Sequence, residues 1–402
     1  MTEFTNPFRP GAGHPPPYLA GRQAERAEFQ RLLGQTTILD NMVLTGLRGV
    51  GKTVLLDSFR PLAIERGWVW VGTDLSESTS VSEDNIATRL CTDLAPITSS
   101  VVVETEEVLN VGFEAGTREV RHTLGYEALM GLYNGIPGLA LDKIKGVLEL
   151  AWNALSNVSQ MKGIIFAYDE AQNLSDQSAK EQYPLSLLLD CFQSLQRKGL
   201  PLMLVLTGLP TLFPKLVEAR TFSERMFRVL FLQSLNRNES EQAIRRPIED
   251  SDCPRKLSDN SVDTIVSMSG GYPYFIQFIC REVYDAFIQR IDRGEPTWVP
   301  IQEIEQKLDT DFFAGRWARA TDRQRELLHA ISQLENCDEE FTVQEVVETS
   351  KRVLVKPFSS SHVNQMLATL AAQGLVYKNR HGRYSFAVPL LGRFIRRQAQ
   401  AA

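Results

Sequence analysis

A sequence of 402 residues is too long for one ordinary core, so we expect two or three domains. Its hydrophobic fraction of 43% and charged fraction of 23% are those of a soluble globular protein. It contains neither a secretory leader pattern nor an apolar stretch long enough to cross a bilayer, so we expect a cytoplasmic location and no membrane partner. Five scattered cysteines indicate no zinc cluster, and the net charge of −6 is uneven: residues 351–402 carry nine Lys or Arg and no acid, which leaves −15 elsewhere.

The amino-terminal segment and the long region after it predict different structures. Five prolines and two glycines in residues 1–17 exclude a helix and a central strand, which predicts an extended arm. From Met42 to Leu232, short apolar runs alternate with helical segments, as in a parallel sheet. The predicted strands are Met42–Thr45, Val69–Thr73, Ile164–Tyr168, Leu202–Thr207 and Arg228–Leu232.

A glycine-rich loop directly follows the first predicted strand. The pattern Gly-x-x-x-x-Gly-Lys-Thr is that of a Walker A loop, whose glycines let successive backbone N–H groups point at phosphate oxygens. Lys52 is predicted to reach the β- and γ-phosphates and the Thr53 hydroxyl to bind Mg²⁺. A glycine turn without a ligand is the alternative. The predicted nucleotide-binding residues of the loop are Gly46, Leu47, Arg48, Gly49, Val50, Gly51, Lys52, Thr53 and Val54.

Between the second and third predicted strands, at about residues 76–160, we expect an insert. Val101–Thr105 and Val108–Phe113 are predicted to form a hairpin, followed by helices from Tyr126 to Asn157. No phosphate-binding pattern occurs in this insert, so its role is left open.

Two carboxylates end the next apolar run. Gly163–Tyr168 has the continuous hydrophobic character of a buried parallel strand, whose carboxyl end faces the ligand crevice, and Asp169 and Glu170 follow directly. As a Walker B pair, Asp169 would hold Mg²⁺ through water and Glu170 would deprotonate the attacking water. The alternative is a helix N-cap followed by a first-turn acid. With the Walker A loop, the pair predicts a P-loop NTPase that uses ATP and Mg²⁺.

The carboxyl-terminal half predicts two smaller units. One helix is predicted to begin at a capping box at Asn238, and two more are predicted at Asp259–Ser269 and Pro273–Arg290. Together they form a helical unit that ends at Gly294 and Pro296. After this unit, helices are predicted at Asp322–Leu334, directly after Phe341–Val343, and at Ser359–Gln373. A β-hairpin is predicted at Leu375–Val388, and three helices followed by a hairpin are the order of a winged helix.

The basic residues of this end are concentrated on the predicted hairpin and after it. The third helix has no Lys or Arg, so we expect electrostatic, weakly sequence-selective binding of duplex DNA. An acidic protein partner would suit the same charges. The predicted DNA-binding residues are Lys378, Arg380 and Arg383 on the wing, with Arg393, Arg396 and Arg397 adding charge beyond it.

In this order of arm, ATPase core, helical unit and winged helix, the chain resembles AAA+ ATPases, particularly the origin-recognition-like group and the related STAND signalling ATPases. The resemblance implies an α/β P-loop NTPase core of AAA+ type with a parallel sheet, a helical lid and a carboxyl-terminal winged-helix domain. The implied domains are the arm at 1–17, the core at 18–235, the lid at 236–296 and the winged helix at 317–397.

The resemblance also implies nucleotide contacts outside the Walker motifs. In such proteins a Gly-Arg-x-x-Glu stretch near the amino end packs against adenine, although a simple helix start is the alternative here. Many relatives have an Arg where this chain has Tyr274, so no direct contact between lid and γ-phosphate is implied there, and Arg281 is a weak substitute. The residues implied by the adenine stretch and by the Gly-x-Pro entry to the lid helix are Tyr18, Leu19, Arg22 and Pro273.

Two further catalytic positions follow from the resemblance. Thr207, at the end of the fourth predicted strand, falls at sensor 1 and would bind the attacking water or the γ-phosphate; a plain strand-end threonine is the alternative. Arg225 falls at the position of an arginine finger, which would act on the nucleotide of a neighbouring subunit. Arg228 is the reserve, and a surface charge is the alternative for either. The implied catalytic set is Lys52, Glu170, Thr207 and Arg225.

The motifs and the resemblance together favour an ATP-hydrolysing switch or assembly factor that forms an ATP-dependent homo-oligomer and acts on DNA. A STAND-type signalling ATPase whose winged helix binds protein is the alternative. A nucleotide-binding regulator without significant hydrolysis is less favoured because Glu170 is present, and a kinase because the sequence suggests no acceptor pocket.

Overall fold

The computed structural model of this chain describes residues 5–11, 13–109, 117–158, 160–251, 253, 256–295, 298–380 and 382–401. These residues form two compact units. The first unit contains residues 23–45 and 55–230, and the second contains the described residues of 1–22, 46–54 and 231–402. Among the described helices, none combines the length and the hydrophobicity that crossing a bilayer requires.

A five-stranded sheet forms the centre of the first unit. Every residue of the strand before the glycine-rich loop and of the strands at residues 163–168 and 202–208 is buried, which explains their unbroken apolar sequences. The elements up to the last strand are α1 (Gln23–Leu32), β1 (Asn41–Gly46), α2 (Lys52–Glu65), β2 (Trp68–Val71), α3 (Glu83–Thr98), β3 (Val102–Leu109), β4 (Thr117–Thr123), α4 (Tyr126–Gly135), α5 (Ala140–Val158), β5 (Gly163–Tyr168), α6 (Pro184–Arg197), β6 (Leu202–Gly208), α7 (Leu212–Ala219), α8 (Ser223–Met226) and β7 (Phe227–Leu232).

The strand order is β2-β5-β6-β1-β7, with parallel pairing of β2 with β5, β5 with β6 and β6 with β1. All five predicted core strands are confirmed, with ends that differ by at most two residues. The chain leaves β1 for β2 at one edge of the sheet, while β7 lies on the other side of β1. A parallel sheet binds ligands at such a change of direction, at the carboxyl ends of its strands.

The insert between β2 and β5 is a helical layer with one hairpin. Its helices pack through buried Leu90, Leu129 and Leu148, and the predicted helices from Tyr126 onward are confirmed as α4 and α5. The predicted hairpin strands are wrong, because β3 runs through both as far as Leu109 and pairs with β4, while residues 110–113 lie outside the described residues. No turn-forming residue separates Thr105 from Val108, so the strand continues.

The second unit carries the helical and winged-helix parts. Buried Ile244, Ile265 and Ile276 join its first three helices, and Phe341, Leu367 and Phe386 lie in the core of the winged helix. Its elements are α9 (Arg237–Asp250), α10 (Asp259–Ser269), α11 (Pro273–Asp292), α12 (Ile301–Leu308), a π-helical turn (Asp309–Ala314), α13 (Gly315–Trp317), α14 (Asp322–Ser332), β8 (Phe341–Thr342), α15 (Val343–Val353), α16 (Ser360–Ala372), β9 (Val376–Arg380), β10 (Arg383–Phe386) and α17 (Leu391–Ala401).

Two local predictions in this unit have different outcomes. The three helices and the hairpin of the winged helix are confirmed, and β8 adds a third strand in the order β8-β10-β9. The capping box of α9 is at Asn236, not at Asn238, because the Asn236 side chain accepts from the Glu239 N–H at 2.9 Å and the Glu239 carboxylate accepts from the Asn236 N–H at 2.9 Å. The same Asn-x-x-Glu spacing occurs twice in succession, and the first copy starts the helix.

Candidate functional site

The glycine-rich loop leaves β1 at Gly46 and ends at Lys52, the first residue of α2. Gly49 and Gly51 have φ values of 77° and 90°, in the left-handed region that residues with a Cβ rarely adopt. Within the described part of the chain, the backbone N–H groups of residues 47–51 donate to no protein acceptor. Such a run of unpaired N–H groups at the start of a helix is suited to an anion.

Lys52 is hydrogen-bonded to the loop that precedes it. Its side chain is only 8% exposed, and its Nζ donates to the carbonyl oxygens of Gly46 and Leu47 at 3.1 Å each. A buried ammonium group needs such acceptors because its removal from water is costly. The cation predicted to bind phosphate is therefore held at the loop.

Two residues from outside the loop donate to two more of its carbonyls. Arg22, 5% exposed, donates from Nη2 to Val50 at 3.0 Å and to Gln233 at 2.9 Å. The backbone N–H of Tyr274, in the first turn of α11, donates to the carbonyl of Gly49 at 3.2 Å. Arg22 thus braces the loop through backbone carbonyls, and its predicted contact with adenine stays a prediction.

The other residues predicted to contact adenine include Tyr18, which contacts α9, and Pro273, which begins α11. The Tyr18 hydroxyl donates to Gln242 Oε1 of α9 at 3.4 Å, and both Tyr18 and Leu19 are half-buried. Pro273 is the first residue of α11, where a missing N–H costs no helical hydrogen bond. Their contacts with nucleotide stay predictions, as do those of the loop residues through Val54.

Asp169 and Thr207 are brought together at the carboxyl edge of the sheet. Tyr168 of β5 pairs with Leu206 of β6, so the residue after each lies at the same level. The Thr207 hydroxyl donates to Asp169 Oδ1, and Asp169 is 4% exposed. The structure therefore joins the predicted Walker B carboxylate with the predicted sensor 1 residue through a direct hydrogen bond.

Glu170 has an unusual backbone conformation and a defined side-chain partner. Its φ of 51° and ψ of 33° lie in the left-handed region, which is uncommon for residues with a side chain. Gln172 Nε2 donates to the Glu170 carboxylate, while Gln172 Oε1 accepts from the backbone N–H of Leu209 at 3.0 Å. Gln172 therefore ties Glu170 to the loop that follows Thr207. Sequence analysis missed this residue; the signal is an amide two positions after the Walker B glutamate.

Asp57 of α2 and Asp74 after β2 add two carboxylates that sequence analysis also missed. The pKa of Asp57 is raised first by partial burial and then by the charges of Asp169 and Asp74. The pKa of Asp74 is raised first by partial burial and then by the charges of Asp169 and Glu170. Such mutual repulsion favours a bound cation. The missed signal for Asp74 is its place directly after a predicted parallel strand.

Two solved structures resemble this fold over nearly its whole length. The Aeropyrum pernix ORC2 protein in its ADP form is 15% identical, with a TM-score of 0.53 and coverage of 98% of each chain. The same protein in its ADPNP-ADP complexes is 14% identical, with a TM-score of 0.52 and coverage of 98% of this chain and 97% of that one. This chain has the fold of the origin-recognition-like AAA+ proteins.

The AAA+ fold with a lid and a winged-helix tail, predicted from the sequence, is thereby confirmed. The family described as "Domain of unknown function (DUF8462)" matches residues 310–395, which cover the winged helix and the segment before it. Comparison with curated proteins finds no match.

The two candidate arginine fingers differ in their surroundings. Arg228 is ion-paired, with its Nε 2.8 Å from Glu28 Oε1. Arg225 is exposed on α8, and the structure pairs its side chain with no acid among the residues it describes. An unneutralised guanidinium is better suited to a phosphate of a second subunit, so the geometry favours Arg225. The finger role itself stays a prediction.

The winged helix carries the three predicted DNA-binding residues on its hairpin. Lys378 and Arg380 lie on β9, Arg383 begins β10, and Arg383 pairs with Arg380 across the turn. Lys378 is exposed and Arg383 is half-buried. The exposed polar residues of α16 include His362, and no cation lies on that helix. Contact of these residues with DNA stays a prediction.

Of the arginines beyond the wing, Arg397 is neutralised by acids within the protein, which corrects the expectation that it adds phosphate attraction. For Arg393 and Arg396 that expectation stays a prediction. Arg397 is ion-paired with Asp309 and lies 3.6 Å from Glu305 Oε1. Arg393 Nη1 donates to the Ser267 carbonyl at 2.6 Å. These partners are distant in sequence, so a count of charges along the basic end overestimates the free positive charge.

Replacing Asp57 by Asn is expected to raise the free energy of unfolding at pH 7, measured by urea titration without divalent cations. The folded state holds the protons of Asp57 and Asp74 more tightly than the unfolded chain does. Stability of the unmodified protein therefore falls as pH rises through these raised pKa values, and the substitution removes part of that loss.

The gain should vanish below the ordinary Asp pKa of about 4, where both carboxyls are protonated. Glu77→Gln removes an exposed carboxylate outside this group and should change stability at neither pH. An equal gain in this control would show that total charge, and not the local repulsion, sets the effect.

Proposed function

We propose that this protein is an ATP-hydrolysing molecular switch or assembly factor. The observation that carries the proposal is the glycine-rich loop, whose N–H groups at residues 47–51 have no protein acceptor among the residues that the structure describes, while Lys52 is held beside them. A ligand with several anionic oxygens, such as a nucleoside triphosphate, satisfies such donors. The fold adds support, because the Aeropyrum pernix ORC2 protein is known in an ADP form and in ADPNP-ADP complexes.

The division of roles follows from the chemistry of each side chain. Lys52 would bind the β- and γ-phosphates, and Thr53 and Asp169 would hold Mg²⁺, which neutralises charge on the phosphates when it is bound. Hydroxyl and carboxylate oxygens are suitable Mg²⁺ ligands, and one or two protein ligands suffice beside phosphates.

Hydrolysis would depend on the residues after β5 and β6. Glu170 would take the proton of the attacking water, with Gln172 fixing the carboxylate and Thr207 positioned beside Asp169. The left-handed backbone of Glu170 makes its placement depend on these contacts.

The first test separates binding from turnover. Lys52→Ala should abolish tight ATP binding because it removes the phosphate-binding cation, whereas Glu170→Gln should retain binding and lower turnover by about 10²- to 10⁴-fold. Nucleotide titration and a phosphate-release assay measure the two effects. Normal turnover by Glu170→Gln would exclude the general-base role.

We also propose ATP-dependent homo-oligomers in which Arg225 acts on the nucleotide of the next subunit. The support is its exposed guanidinium on the short helix before β7, which forms no ion pair with any residue that the structure describes. Such a cation stabilises charge on the transferring phosphoryl group only if two subunits meet, so activity would depend on assembly.

Mixing Arg225→Ala with Lys52→Ala protein tests the trans arrangement. Each variant alone should be inactive, but a mixed interface joins an intact ATP site to an intact finger, so part of the phosphate release should return. Arg228→Ala mixed in the same way is the matched control and should behave as active protein, because its arginine is paired with Glu28. Absence of recovery, with a monomer at every ATP concentration in sedimentation, would eliminate the trans role.

The winged helix is proposed to bind duplex DNA through Lys378, Arg380 and Arg383. Their support is the position of all three on one hairpin, the part of a winged helix that contacts the DNA backbone. The absence of cations from α16 and the internal pairing of Arg397 instead favour the second candidate, a STAND-type signalling ATPase whose winged helix binds an acidic protein.

The proposed domains are the arm at 1–17, the core at 18–235, the lid at 236–296 and the winged helix at 317–397.

A salt titration with labelled duplex and ATP-loaded protein decides between these partners. If three phosphates are neutralised, log affinity should fall with log salt at a slope of roughly −3. Replacement of Lys378, Arg380 and Arg383 by Ala should flatten the slope. The control removes three other charges of the basic end, at Lys351, Arg352 and Lys356, and should retain it. No binding at low salt would favour the protein partner.

A further inference from the structure

The segment between lid and winged helix is joined to the glycine-rich loop through aromatic side chains. Phe312, in the π-helical turn, has its ring centroid 5.4 Å from that of Tyr274 and 5.0 Å from that of Phe275. Tyr274 in turn donates its backbone N–H to Gly49 of the loop. Residues 309–317 are therefore two contacts away from the loop, although they are more than 250 residues distant in sequence.

Arg316 of α13 is fixed on this aromatic connection. Its guanidinium carbon lies 4.9 Å from the centre of the Phe312 ring, and Nη1 donates to the Phe312 carbonyl at 2.7 Å. The side chain is half-buried, so its orientation is limited, while one hydrogen-bonded nitrogen leaves the other donors of the planar group for a ligand.

Arg316 is part of a cluster of three arginines, with Arg48 of the loop and Arg319. Burial, followed by the charges of Arg48 and Arg319, lowers the pKa of Arg316. Within the described residues, none of the three arginines has an acid at ion-pair distance. The acid near this region is Asp311, whose charge, after burial, contributes to the raised pKa of Tyr274. Three like charges repel one another, and a shared anion removes that cost.

We propose that Arg316 binds the terminal phosphate of the nucleotide held by the loop, with Arg48 beside it. Arg48 lies between Gly46 and Gly49, so the anion nearest the cluster is the ligand of the loop itself. The inference rests on the proposed function and adds a residue that the sequence pattern does not indicate. Arg316 would supply this cation from outside α11. Within α11, Tyr274 carries no positive charge, and Arg281 lies with its Nε 3.8 Å from the Asp285 carboxylate.

The same segment contacts the last helix of the winged helix. Phe313 stacks on Phe394 with centroids 5.2 Å apart, and Trp317 meets Phe394 edge-on at 5.8 Å. Asp309 is also the ion-pair partner of Arg397. A phosphate that binds Arg316 thus acts on residues 309–317, which pack against α17. The winged helix would therefore respond to the difference between a nucleoside triphosphate and a diphosphate.

The test compares the affinities of the full-length protein for ADP and for a non-hydrolysable ATP analogue, both with Mg²⁺, by calorimetry. Arg316→Ala should weaken the analogue by about 10- to 100-fold, the loss expected for hydrogen bonds to a charged group, and leave ADP within about twofold. Arg316→Lys retains the charge but loses the planar fork, so an intermediate loss is expected. Arg293→Ala is the control and should change neither affinity, because Arg293 is exposed directly after α11 and pairs with no acid in the described part of the chain.

Equal losses for both nucleotides would show that Arg316 supports the fold, and no loss would show that it does not contact phosphate; either result overturns the inference. Unchanged nucleotide affinities with a flatter salt slope for DNA would assign the cluster to nucleic-acid phosphates and also overturn it. If the unmodified protein binds neither ADP nor the analogue, the proposed function itself fails. If it binds both and Lys52→Ala loses both, only the role of Arg316 is in question.

Discussion

The structure around the candidate site depends on how the glycine-rich loop satisfies its backbone carbonyls. A loop that presents several N–H groups to an anion directs carbonyl groups elsewhere, and each buried carbonyl needs a donor. Four of them accept hydrogen bonds from Lys52, Arg22 and the backbone N–H of Tyr274. Arg22, directly before α1, and the lid helix α11 thereby take part in shaping the loop, so a change in either alters the place where the phosphates are proposed to bind.

A different constraint organises the acidic residues. Parallel strands end at one edge, so Asp169 and Thr207 become neighbours without any closeness in sequence. Glu170 follows in a left-handed conformation that the surrounding contacts must maintain, and the amide of Gln172 connects it to the loop after β6. The proposed base is therefore positioned by hydrogen bonds that a movement of that loop would break.

The carboxyl-terminal part joins charge and packing in a similar way. Aromatic contacts connect the π-helical turn with α11 on one side and with Phe394 of α17 on the other. Arg397 is neutralised by acids of the preceding helix and turn, while Arg316 and its neighbouring arginines have no such acid partner among the described residues. The two groups of arginines thus have different roles: one holds the winged helix in place, and the other is available for an anion.

The sequence by itself determined the order of strands along the chain, the phosphate-binding pattern at Gly46–Thr53, the acidic pair at Asp169 and the winged helix, because these depend on local spacing and on apolar runs. It could not determine which distant groups meet. The partners of Arg22, Arg397 and Arg316 lie up to hundreds of residues away, and only the tertiary structure decides whether a charge faces an acid, a carbonyl or another cation.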